Sequence, residues 1–136
     1  MTEATVLIVE DDALTACSVA LALQSAGYKV CGVAGSEEEA ITAAEETRPG
    51  FAIVDVNLSP GDGRMVARQL VDRFHTAVLM ATGHCNSPAL LHGIGASAYL
   101  PKPYDADEVA PALEATRRLA QGETLGRLPG NLLRLD

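Results

Sequence analysis

Three acids in a row, Glu10, Asp11 and Asp12, close the apolar run TVLIV, and a single acid, Asp55, closes a second run, FAIV. A carboxylate placed directly behind such a run is partly desolvated unless it is paired or bound to a metal. Two carboxylates about 4 Å apart repel by roughly 4 kcal/mol at an effective dielectric near 20. Lys102 follows a third run, SAYLP, and Thr82 ends a fourth, AVLMAT. A single ammonium set among Glu10, Asp11 and Asp55 leaves an excess of negative charge, which suits a hard divalent cation with oxygen ligands such as Mg²⁺. A metal, a carboxylate, a hydroxyl and a lysine around one point make a phosphoryl site. Lys102 and the metal neutralise phosphoryl oxygens, Thr82 donates a hydrogen bond to one, and Asp55 is the nucleophile. Each residue also has a plainer use: Asp12 as a helix cap, Thr82 bonded within its own turn, Lys102 as a solvated loop lysine.

For these groups to meet, several strand ends must share one edge. TVLIV (5–9) reads as a strand apolar on both faces, and ALTACSVALALQSAG (13–27) as a helix stopped by Gly27. KVCGVA (29–34) is a second strand, and Ser36 with Glu37, Glu38 and Glu39 starts a capped helix that runs to Thr47, before Pro49 and Gly50 break the chain. FAIVDV (51–56) is a third strand. After the turn residues SPGDG a helix runs from Arg64 to Phe74, with Met65, Val66, Leu70 and Phe74 on one face. AVLMAT (77–82) is a fourth strand, and NSPALLHGIGA (86–96) a poor helix that Gly93 and Gly95 stop early. SAYLP (97–101) is a short fifth strand. From Asp105, Val109, Leu113, Thr116 and Leu119 mark a last amphipathic helix, acids first and arginines last, in accord with its dipole. Strands alternating with helices imply an α/β fold, a parallel sheet covered on both faces. Ligands of such sheets sit beyond the carboxyl ends of the strands.

Composition narrows the function. A chain of 136 residues, 48% hydrophobic, fits one domain with its own core. Ten basic against eighteen acidic residues give a net charge of −8, and the longest basic cluster is the Arg117–Arg118 pair. Phosphate backbones and anionic lipids are repelled, so neither direct nucleic-acid binding nor membrane binding is expected. Cys17, Cys31 and Cys85 are odd in number and lack CxxC spacing, and the N-terminus has no signal-peptide pattern. A cytoplasmic protein without disulfides is expected.

The motifs VLIVEDD, FAIVDVNLSPGDG, AVLMATG and GASAYLPKPYD, in that order over residues 4 to 120, resemble the response-regulator receiver domain of two-component signalling. The resemblance implies a doubly wound (βα)5 flavodoxin-like fold with a five-stranded parallel sheet in the order 2-1-3-4-5. It also implies Mg²⁺ held by Glu10, Asp11 (the direct ligand of the two), Asp55 and the backbone carbonyl of Asn57. Asp55 is then the phosphoacceptor, Lys102 the phosphate-binding lysine, Thr82 the switch hydroxyl and Tyr99 the aromatic switch, with a cis peptide before Pro103. The expected function is that of a phosphoacceptor protein, not an enzyme acting on other substrates. It takes phosphate from a sensor histidine kinase or a histidine phosphotransferase, catalysing its own phosphorylation and dephosphorylation at Asp55. His84, two residues past Thr82, is expected to modulate the phosphoryl lifetime.

Residues 1–120 are expected to form the receiver and 121–136 a short tail, with no output domain. The signal would leave through an unknown downstream protein or a phosphorelay, with a possible homodimer through the fourth helix, fifth strand and fifth helix. The tail leucines either dock on a partner or fold back onto the domain. A haloacid-dehalogenase-type phosphatase would carry a second acid two residues after the nucleophile, where Asn57 cannot give a proton. A flavodoxin-like cofactor carrier would not place EDD at its phosphate loop. The remaining alternative is a degenerate receiver that serves as a phosphorylation-independent docking module.

Overall fold

The computed structural model describes residues 4–83, 91 and 93–135. Its strands are β1 (Thr5–Val9), β2 (Lys29–Ala34), β3 (Phe51–Asp55), β4 (Ala77–Thr82), β5 (Ala98–Pro101) and β6 (Leu133–Arg134). Its helices are α1 (Ala13–Ser25), α2 (Glu37–Thr47), α3 (Gly63–Phe74) and α4 (Val109–Ala120), the last preceded by a 3₁₀ turn at Ala106–Glu108. The helix expected over 86–96 lies for most of its length outside the described residues, as do His84 and Cys85.

The helix starts follow side-chain chemistry. The Asp12 carboxylate accepts the Leu14 amide at 3.2 Å and the Thr15 hydroxyl at 2.7 Å, so Asp12 caps α1. The Ser36 hydroxyl accepts the Glu39 amide at 3.2 Å, and Glu39 reaches back to the Gly35 amide at 3.1 Å. Arg117 and Arg118 occupy the last turn of α4, where cations offset the helix dipole.

The sheet order is β2-β1-β3-β4-β5-β6. The first five strands are parallel in the expected order, and β6 adds antiparallel to β5, so the sheet has six strands where five were expected. The sixth strand has a simple cause. Leu132 and Leu135 need an apolar seat, and they are 3% and 4% exposed once the tail lies on the β5 edge. The tail therefore folds back onto the domain.

Strand alternation divides the core into two layers. Leu7, Val9, Ala52, Val54, Val78, Met80 and Tyr99 point to the side covered by α2 and α3. Val6, Ile8, Phe51, Ile53, Leu79, Ala81, Ala98 and Leu100 point to the side covered by α1 and α4. Leu23, Leu70 and Leu113 from the helices are fully buried, each worth about 1.5–3 kcal/mol over an exposed position.

Candidate functional site

The same alternation assembles the site. Glu10 lies two residues past Ile8, Asp55 two past Ile53 and Lys102 two past Leu100, so all three continue the α1/α4 face beyond the apolar layer. Parallel pairing then sets these strand ends side by side, with β3 between β1 and β4. Glu10 and Asp55 are 7% and 6% exposed. The Lys102 ammonium bridges them, donating to Glu10 Oε1 at 2.9 Å and to Asp55 Oδ2 at 3.0 Å. The other Asp55 oxygen, Oδ1, accepts the Asn57 amide at 2.9 Å. Asp11 is exposed, and its Oδ2 accepts the Ser59 amide at 3.1 Å, tying the end of β1 to the loop after β3.

One carboxylate oxygen from each of Glu10, Asp11 and Asp55 lies within 4.8 Å of the others. An all-oxygen, triply acidic donor set with a single ammonium beside it fits a hard divalent cation such as Mg²⁺. Thr82 is the last residue of β4, paired with Pro101, one step past the Ala81 that pairs with Asp55. Its backbone therefore stands between Asp55 and Lys102; its side chain lies outside the described residues. The Lys102–Pro103 peptide is cis, as expected. Tyr99 is 6% exposed and lies in the α2/α3 layer.

Residues 6–114 match the response regulator receiver domain family. The chain belongs to that family. The receiver is 32% identical over 111 residues to the transcriptional regulatory protein PdtaR of Mycobacterium tuberculosis, covering 80% of this chain and 54% of PdtaR. It thus spans about half the length of that relative. The signal receiver domain of a modulated diguanylate cyclase from Desulfovibrio desulfuricans superposes with a TM-score of 0.79 at 30% identity, covering 90% of this chain and all of that one. A response regulator from Burkholderia pseudomallei, solved with a phosphorylated aspartic acid, calcium ion and citrate, gives 0.77 at 25% identity, covering 88% of this chain and 72% of that one. Among the described residues of the receiver, no helix is long and apolar enough to cross a membrane.

Electrostatics in the receiver's site follow from this crowding. Burial pushes the Glu10 carboxyl above its ordinary value, and the neighbouring Asp55 adds to the rise, against the Lys102 ammonium and the Asp12 amide, which pull it down. Burial alone would lower Lys102, but the two carboxylates outweigh it and hold the ammonium above the usual lysine range. A carboxyl raised in the folded state leaves the folded chain with more bound proton than the unfolded one. Glu10's contribution to stability is therefore full below its ordinary pKa of 4.5 and is lost as pH rises through the raised folded value. In metal-free buffer, Glu10→Gln is expected to flatten that part of the stability–pH curve. Urea midpoints of native and variant chains that run parallel from pH 4 to 8 would remove this account.

Three contributors were not legible in the sequence as site residues. Ser59 holds Asp11 through a backbone amide, which carries no residue-type signal. Tyr104 packs in the α1/α4 layer and shares a small hollow with Glu10, Asp55 and Thr15; burial pushes its hydroxyl up to about 12, so it stays protonated beside the carboxylates. Gly63, the first residue of α3, passes directly beneath the backbone of Asp55. An aromatic two residues after Lys102 was the only hint of Tyr104.

Proposed function

We propose that this receiver is a phosphorylation switch whose acceptor is Asp55. The observation that carries the proposal is the placement of Asp55: one oxygen is held by Lys102, the other by the Asn57 amide, and two further carboxylates stand within reach of one cation. Glu10, Asp11 and Asp55, with the Asn57 carbonyl, are the residues to hold Mg²⁺, which when bound offsets the charge that gathers on phosphoryl oxygens. Asp55 attacks the phosphorus of a phosphohistidine on a kinase or phosphotransferase. The P–N bond breaks, the histidine leaves with the electron pair, and an acyl phosphate forms on Asp55. Lys102 keeps its charge throughout and pairs with the phosphoryl oxygens; Thr82, at the end of β4, supplies the switching hydroxyl and Tyr99 the linked aromatic. His84 tunes the lifetime of the acyl phosphate. The phosphorylated aspartic acid in the Burkholderia relative supports the reading.

The test is intact-mass analysis after incubation with acetyl phosphate, with Mg²⁺ and with a chelator. One phosphoryl group gained only with Mg²⁺ is expected. No gain under either condition would leave the docking-module reading in its place.

The donor protein has an evident approach. Every residue of α1 is uncharged, and Leu14 and Leu21 are 81% and 61% exposed, although the neighbouring Thr15 and Val19 line a hollow of about 640 Å³ shared with Lys102 and Pro103. An apolar face at the mouth of the cleft suits a docking helix. Leu14→Asp is expected to slow phosphotransfer from the cognate kinase by about tenfold, the scale of one lost apolar anchor. Acetyl phosphate should react as before, and equal losses with both donors would count against docking at α1.

A further inference from the structure

Without β6, β5 would be the last strand of the sheet, and Tyr99 the outermost strand residue of the α2/α3 layer. β6 closes that flank. It runs antiparallel to β5 with Leu133 opposite Tyr99 and Arg134 opposite Ala98, and the Leu135 amide donates to the Ser97 carbonyl at 2.9 Å. Residues opposed in an antiparallel pair project to the same face, as do residues two apart along a strand. Leu133 therefore stands on Tyr99's side of the sheet, with Leu135 diagonal to the ring and buried in the same layer. On the other flank Met80 of β4 is the partner of Tyr99, so the ring is set in a row between Met80 and Leu133.

The element that closes this seat is weak. β6 contributes two residue pairs, whereas every other strand pair in the sheet spans at least four. Leu133 stays 44% exposed, and a hollow of about 360 Å³ lies beside Leu135, lined also by Leu91, Ser97 and Arg134. The segment that leads into β6 carries Gly122, Gly126 and Gly130, each of which adds to the entropy lost when the tail is held in place. β6 is thus the part of the sheet that opens first. With it open the ring loses its lateral wall, and a tyrosine, apolar in body and polar at the tip, turns out to water at low cost.

We propose that residues 132–135 are an intramolecular latch on Tyr99, and that its closure is linked to loading of the phosphoryl site. Closed, the latch holds the ring in the α2/α3 layer and fixes β5 along both of its edges. Lys102 follows Tyr99 by three residues, directly after the end of β5, and its ammonium spans Glu10 and Asp55. A phosphoryl group at the site takes Lys102 as a ligand and so anchors that end of the strand, and an anchored strand is the better template for β6. Loading and closure therefore favour each other, and by reciprocity each shifts the other by the same factor. The link rests on Asp55 as the acceptor, whereas the hold on Tyr99 does not.

The test uses the full chain labelled with fluorotyrosine, its rings assigned through Tyr28→Phe, Tyr99→Phe and Tyr104→Phe. In the native protein a soluble gadolinium chelate should relax Tyr99 less than half-buried Tyr28, and the Leu135 amide should exchange well before that of Ile53 in the central strand. In Leu133→Asp/Leu135→Asp the relaxation of Tyr99 should rise at least to that of Tyr28, with Tyr28 and Tyr104 unchanged. Tyr99 still shielded in the folded double variant overturns the proposal. So does a Leu135 amide that exchanges only together with Ile53, which decides the matter even if the variant does not fold. Loading the native chain with Mg²⁺ and beryllofluoride, a phosphoryl mimic, should slow Leu135 exchange at least about fivefold, and the double variant should bind the mimic more weakly by the same factor. A loaded chain with unchanged Leu135 exchange removes the link. A native chain that takes up no beryllofluoride counts instead against Asp55 as the acceptor, and the relaxation of Tyr99 then decides the latch.

Discussion

Asp55→Asn is expected to abolish phosphoryl acceptance while leaving the fold almost untouched. The amide has no nucleophilic carboxylate oxygen, so the rate with acetyl phosphate should fall by at least about a thousandfold, the scale seen when a nucleophile is removed from a concerted site. The structure says why the fold should survive. The side-chain oxygen of asparagine still accepts the Asn57 amide that now bonds Oδ1 at 2.9 Å, and Lys102 keeps Glu10 as a partner at 2.9 Å. One of three mutually repelling acids also disappears, which offsets the lost ion pair. Intact mass and thermal melting measured on one sample separate the two effects. A phosphoryl group still gained by the variant would move the acceptor elsewhere. A melting temperature lowered by more than roughly 10 °C would mean that the carboxylate is needed for folding itself.

The parallel sheet and the convergence of Glu10, Asp55 and Lys102 were legible because each of these groups follows directly on an apolar run and parallel strands end at one edge; the alternation of those runs between two layers is what the structure adds. VLIVE, FAIVD and SAYLPK each alternate between the two layers, and the polar residue falls in step at the end of each run. Strand order followed from family resemblance, and the five parallel strands keep it. The tail strand escaped because LLRLD is too short to display a period, and its pairing depends on an edge that only the folded sheet provides. Tyr104 and Ser59 escaped for a related reason: one acts through its depth against α1, the other through a backbone amide. Residue type reveals chemistry, whereas these contacts are set by where the chain passes.

Gly63 is the extreme case, and Gly63→Ala is expected to be the most damaging single-methyl change among the described glycines. In sequence it is the last member of a turn, SPGDG, and reads as a chain breaker. In the structure a Cβ at this position would stand 1.9 Å from the backbone oxygen of Asp55 and 2.9 Å from the Cα of Val56. Neither is the end of a flexible side chain, so relief requires α3 to move away from β3. That movement strains the Gly63 amide's bond to the Val56 carbonyl at 3.2 Å and displaces a helix whose Val66, Ala67 and Leu70 are fully buried. An overpacking cost of roughly 3 kcal/mol or more follows, a fall of about 10 °C in melting temperature for a chain of this size. Because the clash falls on Asp55, the proposed acceptor, phosphorylation by acetyl phosphate should decline even at temperatures where the variant is folded. Gly126→Ala is the control, since its Cβ would meet no heavy atom within 4 Å, and it should melt and react like the native chain. If Gly63→Ala melts within about two degrees of that control, the close passage of α3 beneath Asp55 is not the constraint that places this carboxylate.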